Sequence, residues 1–243
     1  SADKFSDGQS NPTYLLTTDT SKYVLRRKPE GPVLPSAHAV DREFRVMSAL
    51  AKTPVPIPTM HLLCEDVDVI GSMFYVMEFV DGPLYWDAQL SEISEPAVRG
   101  EIYDQMNKTL AYLHSVDIDA IGLSEFGRPG SYFERQYKRW SKQYRASETD
   151  KIEAMEILME WLPKNMPEDD GRVSLIHGDY RIDNIIFARN EPRILAVLDW
   201  ELSTLGHPFS DLAYQCMQLR MPSDPSLGNL AGLDTVDRHA LGI

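Results

Sequence analysis

Hydrophobic residues along this chain recur first at strand spacing and then at helical spacing, with the change near residue 80. In the first part, residues 14–18, 23–26, 61–65 and 73–79 are short runs of β-branched, aromatic and aliphatic residues bounded by turn formers, and each predicts a strand. A helix interrupts them over residues 40–51, where Phe44, Met47 and Leu50 recur at three-residue steps and form an apolar face. Pro54, Pro56 and Pro58 each fix φ and remove a backbone donor, so the connection after that helix is extended. Val80, Asp81, Gly82 and Pro83 then supply a turn.

Beyond the turn, helical patterns dominate to residue 172. Ser94 is placed to cap a helix in which Val98, Ile102, Met106, Leu110 and Leu113 form a stripe that faces a core. Ser147 with Asp150 reads as a capping box ahead of Ile152, Met155, Met159 and Leu162, a second core helix. Short strands return over residues 184–187 and 194–198, followed by a helix over 211–219. The expected class is α+β: a small sheet lobe with one helix over residues 1–80, then a larger, mainly helical lobe over 81–243.

The composition narrows the partners more than the chemistry. A formal charge of −13 over 243 residues disfavours a nucleic-acid backbone as the main partner, because proteins that bind one carry a basic face. No apolar run approaches the roughly 20 residues of a membrane helix, so no span is expected. Ser1, Ala2, Asp3 and Lys4 lack the basic start and apolar run of a secretory signal. Cys64 and Cys216 match no metal spacing and read as buried, reduced thiols, which points to a cytoplasmic setting.

The chemistry concentrates in residues 175–187, where polar groups sit between two apolar strand-like segments. Phosphoryl transfer needs a carboxylate to take the hydroxyl proton and an amide oxygen to help hold Mg²⁺ against the phosphates. His177, Asp179 and Asn184 have the required spacing, and Asp199 follows the apolar Ala196, Val197 and Leu198 as a metal ligand at a strand end would. Asp and Asn in loops more commonly cap neighbouring backbone groups. Three fixed residues at this spacing, however, arise by chance only about once in 10⁴ windows at average residue frequencies, and the downstream Asp199 makes the coincidence rarer. On that count Asp179 is the candidate catalytic base, and Asn184 and Asp199 are the candidate metal ligands.

These stretches, together with Gly8-Gln9-Ser10-Asn11, Tyr23-Val24-Leu25-Arg26, Arg42-Glu43-Phe44, Leu198-Asp199-Trp200-Glu201 and Asp211-Leu212-Ala213, resemble the aminoglycoside phosphotransferase family, the choline-kinase-like branch of the protein-kinase fold. More narrowly, His177 to Asn184, Trp140-Ser141-Lys142-Gln143-Tyr144 and residues 35–43 resemble the kinase-like domain associated with acyl-CoA dehydrogenases. The resemblance implies a two-lobed kinase-like fold that uses ATP and Mg²⁺, and a chain that stops short of the family's last helices. It implies that Gly8, Ser10 and Asn11 cover the nucleotide. Arg26 would take the place of the strand lysine, Glu43 that of its helix partner, and Glu78 and Val80 would form the adenine hinge. His177 and Asp211 would be structural, and His207 stands where many relatives carry an aspartate. Tyr180 and Arg181 would face the acceptor.

One segment departs from the acidic background. Arg135, Lys138, Arg139, Lys142 and Arg145 alternate with Phe133, Tyr137, Trp140 and Tyr144 at helical steps. Such a segment reads either as an aromatic stripe with a solvated basic face or as an anion site in which Arg139 and Lys142 hold the acceptor. The narrower resemblance implies a hydroxyacyl-CoA acceptor and an acyl-CoA dehydrogenase as a partner. The alternatives are an aminoglycoside or choline-like kinase, and a pseudokinase that binds nucleotide or acyl-CoA without transfer.

Overall fold

The computed structural model describes residues 1–5, 11–29 and 38–243. The N-terminal part is a five-stranded antiparallel sheet, β1 (Ala2–Lys4), β2 (Thr13–Thr17), β3 (Lys22–Arg27), β4 (Met60–Cys64) and β5 (Phe74–Glu78), ordered β1-β2-β3-β5-β4. The register of β3 on β5 sets Val24 opposite Met77 and Arg26 opposite Tyr75. Helix α1 (Val40–Leu50) packs against β4 and β5 through Val40, Glu43, Val46, Met47 and Leu50. Glu43 therefore sits inside an otherwise apolar stripe, fully buried.

The linker through Pro54, Pro56 and Pro58 is extended, and Pro56 O accepts from Val197 N (2.9 Å), which ties it to the second part of the chain. After β5 the turn at Gly82 hugs a later strand so closely that a Cβ there would lie 2.1 Å from Phe187 O. The remaining elements are α2 (Pro96–His114), α3 (Tyr132–Ser147), α4 (Glu153–Lys164), β6 (Ser174–Ile176), β7 (Ile185–Phe187), β8 (Ile194–Val197), β9 (Thr204–Gly206), α5 (Phe209–Met217) and α6 (Arg238–Leu241). Strands β6 and β9 form one antiparallel pair, and β7 and β8 form another. The core of this part gathers the α2 stripe of Ile102, Met106, Leu110 and Leu113 with Leu175, Ile182, Ile185 and Trp200.

Several local expectations are corrected. Helix α2 starts at Pro96, with Glu95 rather than Ser94 before it; proline at the first helical position loses only a donor that has no helical partner there. Ser147 does not open α4 but closes α3, where its hydroxyl donates to Gln143 O (3.1 Å) and Tyr144 O (3.2 Å). Helix α4 is not a core helix. None of its residues is buried, and Ile157 is 62% exposed, because the helix packs on α3 and leaves the rest of its apolar surface uncovered. Cys64 is half-buried and Cys216 exposed, so neither is the buried thiol expected, and both are free. Strands β1 and β9 went unforeseen because three-residue strands carry too little alternation to register. No helix among the described residues is long and apolar enough to cross a membrane.

The contrast between α2 and α4 is measurable by urea unfolding. Met106→Ala, which empties a fully buried position, is expected to cost about 2–5 kcal/mol, whereas Ile157→Ala stays within about 0.5 kcal/mol. Comparable losses at the two sites would contradict this account of the core.

Candidate active site

Strand β6 ends at Ile176 and delivers the chain into a loop that must turn sharply to reach β7. Gly178 makes the turn at φ +85°, where a Cβ would lie 2.8 Å from Leu202 O. The loop is held from below by Asp211, in the first turn of α5 and 1% exposed. Its two carboxylate oxygens accept from His177 N (2.9 Å) and Gly178 N (2.8 Å), and His114 Nε2 lies 3.0 Å from Oδ2. The buried His177 ring spans the site. Its Nδ1 accepts from Asp179 N (3.2 Å), which leaves Nε2 to carry the proton and donate to Leu198 O (2.9 Å). The ring also packs on Trp200, with centroids 4.6 Å apart.

Asp179 emerges from this support with donors on both oxygens. Tyr214 Oη donates to Oδ1 (2.7 Å), Arg181 Nε lies 3.2 Å from the same atom, and Asn184 Nδ2 donates to Oδ2 (3.1 Å). Asn184 Nδ2 also reaches Asp179 O (3.0 Å), so its Oδ1 is the amide oxygen left for another partner. Asn184 O accepts from Leu198 N (2.8 Å), which brings the end of β8 against this loop. Asp199 follows in the left-handed region (φ 64°, ψ 60°), a conformation that costs a non-glycine residue about 1–3 kcal/mol and persists where the surroundings over-determine it.

Arg26 joins the sheet to this centre. Its Nη2 donates to Asp199 Oδ1 (2.8 Å), its Nε lies 3.2 Å from Glu43 Oε2, and Glu201 Oε2 lies 3.7 Å from Nη2. Burial works to lower the guanidinium pKa, but Glu43, Tyr75, Asp199 and Glu201 outweigh it and raise it above its ordinary value. Burial raises Glu43 to about 8, with Arg26 opposing and Asp199 and Glu201 reinforcing. One cation thus faces three carboxylates, of which Glu43 is the most deeply buried.

The other sequence candidates divide. Gly8 and Ser10 lie outside the described residues. Asn11 is buried at the start of β2, with Oδ1 3.0 Å from His38 Nδ1. Glu78 is held by Thr59, whose backbone N–H (3.0 Å) and hydroxyl (2.7 Å) donate to its carboxylate, while Glu78 N donates to Thr59 O. Val80 is half-buried in the segment after β5. Tyr180 does not face an acceptor: it is 1% exposed and its hydroxyl donates to Met106 O (2.9 Å), so it is a core residue of the loop. Arg181 bridges Asp179 and Asp183, with Nη2 3.1 Å from Asp183 Oδ2. His207 is buried between Phe133 and Phe209, with Nε2 3.1 Å from Asp170 Oδ1.

The basic face of α3 also divides. Arg135 and Arg139 line a cleft of about 720 Å³ together with Arg42 and Arg128, and Gly178 and Glu201 also line it. Lys142 does not line this cleft, Lys138 pairs with Glu134, and Arg145 is taken by Glu148 and Glu156, so the expected pairing of Arg139 with Lys142 is not present. Residues that sequence reasoning missed are Tyr214, Asp183, His114, Glu201 and Arg128. Tyr214 left a signal, since it lies one helical turn from Asp211 on α5; Arg128, in a loop, left none.

Among the described residues no three His, Cys, Asp or Glu side chains gather as a self-sufficient metal cage. One carboxylate and one amide oxygen suit a hard cation whose remaining ligands are substrate phosphates and water, the usual manner of Mg²⁺. Asp199 and Asn184 fit that donor set.

A five-stranded sheet joined through Arg26 to Asp199, beside a loop that carries Asp179 and Asn184, is the arrangement of a kinase-like phosphotransferase fold. The chain belongs to the phosphotransferase enzyme family, whose profile matches residues 1–232. It is 50% identical over 240 residues to acyl-CoA dehydrogenase family member 10 of Mus musculus, covering 99% of this chain and 22% of that protein. It is 49% identical over 207 residues to family member 11 of Homo sapiens, covering 85% of this chain and 26% of that protein. The chain thus spans about a quarter of the length of these curated relatives. Among solved structures it superposes with a TM-score of 0.88 and 50% identity on a Ralstonia eutropha protein provisionally named an aminoglycoside phosphotransferase, covering 100% of this chain and 70% of that one. An aminoglycoside phosphotransferase APH(4)-Ia complex with AMP-PNP and hygromycin B shares the fold at 17% identity and a TM-score of 0.64, over 90% of this chain and 72% of that one.

Because Gly178 combines a positive φ with a close approach to Leu202 O, Gly178→Ala is expected to lower stability by about 1–3 kcal/mol. Thermal unfolding checks this, and an unchanged midpoint would remove the steric argument for the loop.

Proposed function

We propose that this protein transfers the γ-phosphoryl group of ATP to a hydroxyl of a small molecule, with Asp179 as the base. The observation that carries the reading is the Asp179 carboxylate, held on a pinned loop beside Asn184 and Asp199. The acceptor oxygen attacks the γ-phosphorus, the bond from phosphorus to the bridging oxygen of ADP breaks, and the hydroxyl proton passes to Asp179. Asn184 Oδ1 and Asp199 would hold Mg²⁺, which when bound neutralises charge on the β- and γ-phosphates. Arg26 would serve the nucleotide phosphates, and Glu43 keeps the guanidinium aimed. The division of labour falls at residue 80: residues 1–80 hold the nucleotide, with Gly8, Ser10 and Asn11 over the phosphates and the Glu78 to Val80 hinge at adenine, and residues 81–243 carry the catalytic loop and acceptor. A reducing, cytoplasmic setting fits the unpaired thiols of Cys64 and Cys216.

The acceptor is anionic, and a hydroxyacyl-CoA fits best. In a chain of net charge −13, four arginines line the cleft that opens beside Gly178, which suits CoA phosphates and disfavours cationic aminoglycosides or choline. The relatives named acyl-CoA dehydrogenases supply the second support, with such an enzyme as the partner that acts on the same class of thioester.

Asp179→Asn is expected to lower kcat by about 10²- to 10⁴-fold with ATP binding retained; turnover at the parent rate would remove Asp179 from the reaction. Arg128→Glu with Arg139→Glu is expected to raise KM for a hydroxyacyl-CoA at least about tenfold, from charge-assisted contacts worth about 1.5–3 kcal/mol each when desolvated, with KM for ATP unchanged. Phosphorylation of cationic alcohols alone would overturn the CoA reading and leave the kinase in place.

A further inference from the structure

Helix α5 presents two residues to the catalytic loop, not one. Asp211 and Tyr214 are three positions apart and so share a face. Asp211 takes the loop backbone through the amides of His177 and Gly178, and Tyr214 reaches past it to the Asp179 carboxylate itself, donating to Oδ1 over 2.7 Å. This bond is the shortest that Asp179 makes; the Asn184 contact at Oδ2 is 3.1 Å, and Arg181 approaches Oδ1 at 3.2 Å.

We propose that Tyr214 is a positioning residue for the reaction: its hydroxyl fixes Asp179 Oδ1 so that the opposite oxygen faces the acceptor. The inference rests on the phosphotransfer reading above. A carboxylate on a loop rotates about its χ2 unless both oxygens are held, and a base displaced by as little as 1 Å forfeits much of its advantage. Asn184 alone cannot supply the restraint, because its Nδ2 reaches only Oδ2 of the carboxylate and leaves Oδ1 to Tyr214 and Arg181. Tyr214 is suited to the task chemically. Burial pushes its hydroxyl up to about 12, with the Asp179 hydrogen bond and the Asp179 and Asp183 charges adding and Arg181 opposing. The phenol therefore keeps its proton throughout the neutral range and remains a donor to Asp179 rather than a competitor for the substrate proton.

The test is a double-mutant cycle on the full chain, read as ADP formed from ATP, Mg²⁺ and a hydroxyacyl-CoA. Tyr214→Phe keeps the ring and removes only the donor. It is expected to lower kcat by about 10- to 100-fold, the loss of one hydrogen bond to a charged group, with both KM values within about twofold of the parent. In an Asp179→Asn background the same substitution is expected to change the residual rate by less than about twofold, because its effect passes through Asp179. Equal losses in both backgrounds would show a structural role instead, as would a fall in kcat that tracks the thermal midpoint. An unchanged kcat in Tyr214→Phe, alongside an inactive Asp179→Asn, would sink this inference alone. An Asp179→Asn variant as active as the parent would remove Asp179 from the reaction and this inference with it, whereas a parent that forms no ADP with any hydroxyl acceptor would sink the phosphotransfer reading on which it stands.

Discussion

The buried carboxylate of Asp211 is the constraint on which the loop from His177 to Asn184 depends. A carboxylate with 1% exposure is costly unless its lone pairs are filled, and here the amides of His177 and Gly178 and the ring of His114 fill them. The arrangement binds three separate pieces of chain: α5, the loop after β6, and the C-terminal end of α2. The loop can then hold a glycine in the left-handed region and a histidine whose ring is committed at both nitrogens. A charge-assisted hydrogen bond to a backbone N–H is stronger than a neutral one, so the carboxylate does more here than an amide could.

A second ionic group links the two halves of the chain. Arg26 on β3 meets Glu43 on α1 and Asp199 after β8, so the sheet is registered against the end of β8 by one guanidinium. The guanidinium remains charged under any working condition, while its three carboxylate neighbours compete for it. Engagement of Asp199 by a cation would leave Arg26 to other anions without leaving it unpaired, because Glu43 stays in place. The N-terminal sheet is thereby coupled to the state of the site through an ion pair rather than through packing alone.

Helix α3 separates two environments. One face, through Arg135 and Arg139, borders the cleft beside Gly178. The opposite face, through Phe133, Tyr137 and Tyr144, lines an apolar cleft of about 440 Å³ against α4, and Trp140 borders both clefts. Tyr137 Oη donates to Met159 O (2.9 Å), and Arg145 meets Glu156 Oε1 (2.5 Å), so hydrogen bonds and ion pairs, not buried apolar contacts alone, hold this hairpin together.

The order of elements was legible in the sequence wherever the apolar period was long, as in α1 and α2, and the loop from His177 to Asn184 was legible because its polar residues interrupt apolar strands at a fixed spacing. The family followed from the same residues. Local pattern could not say what lay opposite each face. Helix α4 has the period of a core helix and lacks a core partner; Tyr180 sits in the loop motif yet turns inward to Met106 O; Lys142 and Arg139 are neighbours on one helix but face different surroundings. Tyr214 is the clearest case. Its place one helical turn from Asp211 gives it a face but not a partner, and its hydroxyl meets Asp179, 35 positions away, only because Asp211 docks α5 against the loop. Periodicity and spacing are local properties that a chain carries before it folds, whereas a partner across the fold exists only once the elements have packed.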